Sequence, residues 1–398
     1  MSRLLTLEDL DLAQLHGVRV LTRVDFNVPI ADGKVMDDTR LTEVLPTLSE
    51  LAAAGARVVL VAHQGRPKGQ PNPKYSLKPA ADRLAELIGK PVAFAADCVG
   101  EPAASAVAAL KPGGLCLLEN LRFHPGEEAN DAAFAGELAR LGEAYVDDAF
   151  GAAHRAHAST VGAAALLPRR AAGRLLVKEV TALSRLLGSP ERPFAALLGG
   201  AKIEGKIDTL SNLLPRLDRL MVGGGMANTF LAAQGKDLQR SLVETERLEL
   251  ARSILEQAAE RGVEVLLPTD LVVTDDLETP QRIETVAADA VPAGCLAVDV
   301  GPETRRAFAA AIATSRTLFW NGPLGVFEKP PFDAGTSAVA QALAGCQGFT
   351  VLGGGETVAA AHRAGVAEQV SHVSTGGGAS LEFLAGRVLP GVAALEAP

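Results

Sequence analysis

The stretch 194-FAALLGGAKIEGK-206 decides how the rest of the chain is read. An apolar run from Phe194 to Leu198 enters two glycines and then a lysine-bearing segment of helical composition. A strand with one wet face alternates apolar and polar residues; a continuous apolar strand is buried on both faces, as in a parallel sheet covered by helices. The same pattern returns in 18-VRVLTRV-24, 57-RVVLVAH-63, 115-LCLLEN-120, 144-AYVDDAF-150, 219-RLMVGGG-225, 263-VEVLLP-268, 317-TLFWNGP-323, 349-FTVLGGG-355 and 370-VSHVSTGGG-378. Ala/Leu-rich helical segments lie between these runs. Strand and helix in alternation over the whole length predict an α/β fold of doubly wound, Rossmann-like parallel sheets.

The chain has 398 residues, which predicts two or three domains. Hydrophobic residues make up 48% and aromatics only 4%, so aliphatic cores are expected. A net charge of -9 without a long basic run argues against a nucleic-acid partner. Cys98, Cys116, Cys295 and Cys346 are scattered, which speaks against a zinc frame or disulfides and for a reducing compartment. The opening MSRLLTLEDLDLAQLHG resembles neither a signal peptide nor a transit sequence. No apolar run is long enough to span a membrane. A cytoplasmic protein is the expectation. Near the middle, Leu176, Val180, Leu183 and Leu187 follow helical spacing until Gly188-Ser-Pro190 stops them. This predicts a helix over 173–187, either a connector between two lobes or an ordinary helix of one domain.

Ligands of open α/β sheets bind beyond the carboxyl ends of the strands. In the first half those ends read 23-RVDFNVP-29, 63-HQGRP-67, 119-ENLRFH-124 and 151-GAAHRAHAST-160, with Arg40 following in DDTRL. Each offers Arg or His, and Arg binds carboxylate or phosphate in bidentate fashion. If these loops converge, they form a bowl for a compact polyanion. Asp25 and Asn27, two apart on a strand, would face one ligand, or the acid would hold an Arg in place; a turn before Pro29 is the alternative. In the second half the ends carry glycine: 198-LGGAKIEGK-206, 222-VGGGMAN-228, 321-NGPLGVFE-328, 353-GGGETV-358 and 374-STGGGAS-380. Glycine lets backbone approach a ligand and offers N–H groups, which suits a nucleotide. Lys202 and Lys206, four apart, are expected on one helix face, where a phosphate chain would neutralise them. Neither G-x-x-x-x-G-K-[ST] nor a strand-linked G-x-G-x-x-G is present, and the missing dinucleotide fingerprint argues against a nicotinamide dehydrogenase.

RVDFNVP, H-x-GRP, ENLRFH, AHRAH, GGAK with a second Lys four on, GGGM, WNGP-x-G-x-F-E and STGGGASLE stand in an order that resembles the phosphoglycerate kinase family over essentially the whole chain. The resemblance implies a glycerate-binding lobe (1–172), a connecting helix (173–188), a nucleotide-binding lobe (189–377) and a tail (378–398) that returns to the first lobe. It implies phosphoryl transfer between 1,3-bisphosphoglycerate and ADP, with Mg²⁺, in a monomer. The glycerate site would be Asp25, Phe26, Asn27, Arg40, His63, Gln64, Gly65, Arg66, Arg122 and Arg155. The nucleotide side would be Gly200, Ala201, Lys206, Ala297, Asn321, Pro323, Glu328, Gly354, Gly355, Glu356 and Thr357, with Glu356 at the metal. Arg40, Lys202 and the 376-GGG-378 amides around Gly377 would stabilise the phosphoryl group in flight. The sequence departs from the family at Glu356, usually Asp; at Gln64, commonly apolar; and at Ala297, often Gly. The attacking atom is already an anion in both directions, so no general base is expected. Closure of the lobes, with 374-STGGG-378 as a hinge, is expected to keep a reactive acyl phosphate from water.

Overall fold

All ten apolar runs form strands in the computed structural model, which describes residues 3–397. The chain makes two units: one runs up to Thr181 and takes back the segment from Val388 on, and the other is Ala182–Arg387.

In the first unit, β1 (Arg19–Val24) is followed by a small hairpin, β2 (Ile30–Ala31) and β3 (Lys34–Val35). Then come β4 (Arg57–Val61), β5 (Val92–Ala95), β6 (Leu115–Leu118), β7 (Ala144–Asp148) and β8 (Arg170–Ala172). The six longer strands form one parallel sheet in the order β5-β6-β4-β1-β7-β8. Strand order reverses beside β1, and that switch point is where such sheets open a crevice. β6 and β7 are buried along their entire length. Val20, Val24, Val58, Leu60, Leu115 and Leu117 join helix residues such as Leu48 and Leu84 in one core. Each such side chain contributes about 1.5–3 kcal/mol when fully buried.

The second unit repeats the plan with β9 (Phe194–Leu198), β10 (Arg219–Val222), β11 (Glu264–Leu266), β15 (Thr317–Asn321), β16 (Phe349–Gly353) and β17 (His372–Val373). They pair in parallel in the order β11-β10-β9-β15-β16-β17, with the reversal between β9 and β15. Leu197, Met221, Leu318, Trp320 and Leu352 centre its core. Between β11 and β15 lies an antiparallel sheet that the purely parallel expectation lacked: β12 (Asp270–Thr274), β13 (Ile283–Ala287) and β14 (Leu296–Val300).

The predicted middle helix spans Arg174–Leu187. It starts after Gly173, whose N–H donates to the Asp147 carbonyl at 2.8 Å. A Cβ on Gly173 would lie 2.3 Å from the Asp148 carboxylate, so only glycine fits. Asp148 Oδ1 accepts the Leu176 N–H at 3.0 Å and holds the first turn of the helix. The division between the units falls inside this helix. At the other end, the helix Gly378–Leu384 stays with the second unit, its Leu381 and Leu384 carbonyls accepting from Thr209 and Asn212. The chain rejoins the first unit through Gly391 N to Ala153 O and Leu5 N to Leu395 O, each 2.9 Å. No helix among the described residues is long and apolar enough to cross a membrane.

Candidate active site

In the first unit, the predicted basic residues follow β1, β4, β6 and β7, the four central strands of the sheet. β1 ends at Val24, so Asp25 and Asn27 sit in a turn rather than on one strand face. Asp25 Oδ1 accepts the Asn27 N–H at 3.1 Å, and its Oδ2 accepts from Arg40 Nη1 at 3.0 Å. Arg40 also donates to the Asn27 carbonyl at 3.1 Å. The acid thus fixes a cation. Asn27 Oδ1 accepts the Gly65 N–H at 2.9 Å, which ties the end of β1 to the end of β4.

His63 is buried, with Nδ1 3.1 Å from Arg23 Nη2. Arginine can only donate, so Nδ1 accepts and Nε2 carries the proton. Burial, and then the positive charges of Arg23, Arg122 and Arg40, push the imidazole pKa well below its ordinary value. Arg122 Nη1 donates to the Gly65 carbonyl at 2.8 Å, and its Nε lies 3.2 Å from Glu128. Arg155 is half-buried and donates to His154 Nε2 at 3.1 Å. Arg66 is exposed and has no side-chain partner among the described residues, leaving its whole donor fork for a ligand.

Two predicted contacts change character. The Phe26 ring is completely buried in the core, so only its backbone can face a ligand. The Gln64 amide is spent on Val28, with Nε2 donating to the carbonyl at 2.7 Å and Oε1 accepting the N–H at 3.1 Å. Gln64 is a strut between two loops rather than a free ligand contact. Two further residues matter here. Asn120 accepts from Gln64 N and Arg122 N and donates to the carbonyls of Gln64 and Tyr75, locking the loops after β4 and β6 together. Arg23, only 1% exposed, donates to Ser159 Oγ and Val24 O and braces His63 from behind. Both stood inside the quoted motifs; a charged residue within an apolar strand was the available signal.

In the second unit the glycine loops interlock. Gly199 N donates to Asn321 O at 2.9 Å, Gly200 N to Pro323 O at 2.7 Å, Gly224 N to Leu324 O at 3.0 Å and Gly322 N to Thr357 Oγ1 at 2.6 Å. A Cβ on Gly199 would stand 2.2 Å from the Pro323 carbonyl. These glycines permit loop-on-loop packing; their N–H groups are not free for phosphate. Free N–H groups lie instead at the first turn of the helix Gly355–Arg363, where Gly354, at φ 88°, is the cap and Glu356 and Thr357 follow.

Lys202 and Lys206 do not share a helix face. Lys202 precedes the 3-10 turn Glu204–Lys206, and the α-helix begins only at Ile207. Lys202 is exposed and without a side-chain partner among the described residues. Lys206 turns inward and donates to the carbonyls of Gly199 and Asn321. Burial lowers its pKa to about 8, against the pull of the Glu356 charge.

A cavity of about 310 Å³ opens beside these loops, bordered by Gly200, Ala201, Gly224, Gly225, Ala297, Pro323, Glu328 and Glu356. Its other walls include Leu242, Leu271, Leu296, Val298, Leu324 and Val326. Apolar walls with a few polar groups at one end suit a flat ring that carries an anionic chain. The antiparallel β14 supplies Leu296 to Val300, and the loop residue Leu242 gave no signal in the sequence. Buried Asn321 and Thr357 support the loops at this end, and Gly377, at φ 53°, caps the helix Gly378–Leu384.

Comparison with known proteins agrees with this arrangement. The family model described as phosphoglycerate kinase matches residues 7–387. A phosphoglycerate kinase of Moorella thermoacetica is 54% identical over 391 residues, covering 98% of each chain. One of Thermus thermophilus is 55% identical over 393 residues, covering 98% of this chain and 99% of its own. Among solved structures, phosphoglycerate kinase from Coxiella burnetii superposes with a TM-score of 0.88 at 41% identity over 99% of both chains. The enzyme from Pyrococcus horikoshii does so with 0.86 at 33% identity over 98% of both.

Proposed function

The chain belongs to the phosphoglycerate kinase family, and from that premise we propose how its residues divide the work. The reaction is reversible phosphoryl transfer between 1,3-bisphosphoglycerate and ADP, giving 3-phosphoglycerate and ATP. The single observation that carries the division of labour is the contrast between the units. One presents basic side chains at the ends of four strands, and the other a part-apolar cavity walled by close-packed glycine loops.

In the first unit, Arg66, Arg122 and Arg155 bind the phosphate remote from the reaction, and the His63 Nε2–H and the Asn27 amide donate to the glycerate. Arg40, held by Asp25, stands at the reacting carboxylate. In the second unit, the base lies between the apolar walls, Glu328 accepts from ribose hydroxyls, and the first turn of Gly355–Arg363 receives phosphate oxygens. Lys206 is fixed from behind by two carbonyls, and a phosphate beside it restores its full charge. Glu356 fits a Mg²⁺ ion, which takes one or two carboxylates plus phosphate oxygens and water. The metal would neutralise phosphate charge. Glu356 also serves the helix N-terminus, and the two roles are compatible.

Both nucleophiles are anions, so no residue need remove a proton. The charge in flight falls to Arg40, Lys202 and the amides around Gly377. Closure of the units when both substrates bind would exclude water, with 374–378 as the hinge; small-angle scattering without compaction would count against it. A monomeric, cytoplasmic enzyme is the implied setting. The assay couples ATP, Mg²⁺ and 3-phosphoglycerate to product detection. Lys202→Ala should lower kcat by ~100–1000-fold. Near-normal kcat would remove Lys202 from the transition state.

A further inference from the structure

Outside the site just described, the first unit brings together three donors of different chemistry. Asp97 and Cys98 precede the helix Gly100–Ala108, and His124 follows the turn Leu121–Phe123. Their ligand atoms all lie within 4.8 Å of one another. His124 Nε2 is 2.7 Å from Asp97 Oδ1, and the ring stacks on Phe134 with centroids 5.2 Å apart, which fixes its orientation. Cys98 is fully buried, whereas the side chains of His124 and Asp97 are 31% and 40% exposed. The thiol is therefore the inner donor of the cluster, and the imidazole and carboxylate are its outer ones.

We propose that Asp97, Cys98 and His124 bind a borderline divalent cation of the Zn²⁺ class, tying the Asp97–Cys98 loop to the segment that carries Arg122. Sulfur, nitrogen and oxygen donors together are a zinc set; Mg²⁺ and Ca²⁺ prefer oxygen alone. A tetrahedral ion with bonds of ~2.0–2.3 Å needs donors ~3.3–3.8 Å apart. From atoms all within 4.8 Å, side-chain rotation reaches that range, with the 2.7 Å His124–Asp97 contact opening to admit the ion. Water from the open side completes the shell. Cys98 binds as thiolate, so each ion bound releases the thiol proton to solvent. Asp97 Oδ1 also accepts the Cys98 N–H at 2.6 Å, an outer contact that orients the carboxylate. His124 lies two residues beyond Arg122, whose neighbour Glu128 is on the same segment, so occupancy bears directly on a glycerate-site arginine. The ion is distinct from the nucleotide's metal, which Glu356 serves in the other unit.

The probe is Co²⁺ titrated into the full chain without nucleotide. The expected result is one equivalent bound with a thiolate-to-cobalt charge-transfer band and intense tetrahedral d–d bands. Zn²⁺ should displace it, and excess Mg²⁺ should not. Cys98→Ser should abolish the charge-transfer band. His124→Gln and Asp97→Asn, both at part-exposed positions and checked for an unchanged circular dichroism spectrum, should weaken binding by at least the ~10–100-fold that even an outer contact costs. Wild-type protein without a thiolate band overturns the proposal, as does a band that persists in Cys98→Ser or affinity unchanged in His124→Gln.

Discussion

Replacing Asp148 by Asn should change how the stability of the first unit depends on pH. Asp148 closes β7, accepts the Leu176 N–H and is completely buried, with Oδ2 lacking a hydrogen-bond partner among the described residues. Burial is the main cause that raises its pKa from 3.8 to about 7; hydrogen bonds from Thr47 and Leu176 oppose it, and Asp147 adds to it. A carboxyl that is harder to ionise in the fold than in the unfolded chain binds its proton more tightly when folded. Its contribution is therefore complete below about pH 4 and is lost as pH rises to about 7. The gap is ~3 pH units, each worth about 1.4 kcal/mol, so the loss is on the order of 4 kcal/mol. Asn keeps an oxygen for Leu176 but does not titrate. Its unpartnered NH₂ costs about 1–3 kcal/mol at every pH. Urea unfolding and exchange of the Leu176 amide, measured for both proteins between about pH 4.5 and about pH 8, give the difference directly. Asp147 is present in both and cancels to first order. The variant should gain steadily on the wild type as pH rises. A stability difference that is flat across this window would refute the reasoning.

Three further outcomes are expected. Arg66→Ala should raise the KM for 3-phosphoglycerate far more than it lowers kcat, because Arg66 is assigned to the phosphate remote from the reaction and so contributes binding rather than transition-state charge; a pure kcat loss in steady-state kinetics would contradict this. Glu356→Asp should be tolerated while Glu356→Ala weakens the use of Mg²⁺-nucleotide, read from the Mg²⁺ dependence of the rate; an unchanged dependence in the Ala variant would leave the acid as a helix cap. Gly199→Ala should destabilise the second unit by more than about 1–3 kcal/mol, since its Cβ would meet the Pro323 carbonyl at 2.2 Å; an unaltered Tm in calorimetry would show that the loops part easily.

The parallel sheets were legible because burial on both faces writes itself as unbroken apolar runs. Of the strands outside those runs, β12 is buried throughout but its apolar stretch is only Leu271–Val273, too short to stand out; two others lack the signature itself. β13 is half wet, with Ile283, Thr285 and Ala287 exposed, and β5 is an edge strand only partly covered. Site residues were legible as types at strand ends but not as roles. Lys202 and Lys206 read as a pair, yet one is solvated and the other locked inward, and the start of the helix at Ile207 made the difference. Gln64 read as a ligand contact, but its partner Val28 is 36 residues away and invisible to local pattern. Glycine read as a supplier of N–H groups, while the packing of the loops after β9 and β15 spends those groups on each other.

The return of the chain to the first unit bears on how the protein is made. That unit is discontinuous: Leu5 pairs with Leu395 and Ala153 with Gly391, so its edge is completed only by residues that leave the ribosome after the whole second unit. The intervening unit, Ala182–Arg387, is one uninterrupted piece. At ~5–20 residues per second, its 206 residues (387 − 182 + 1) take roughly 10–40 s to synthesise. Throughout that interval the nascent first unit exposes the apolar seat of Leu389, Val392 and Leu395, all buried in the finished protein. The second unit to emerge can therefore be the first to finish folding, and the nascent chain carries a sticky, open flank for tens of seconds, the stage at which a chaperone would find most to hold.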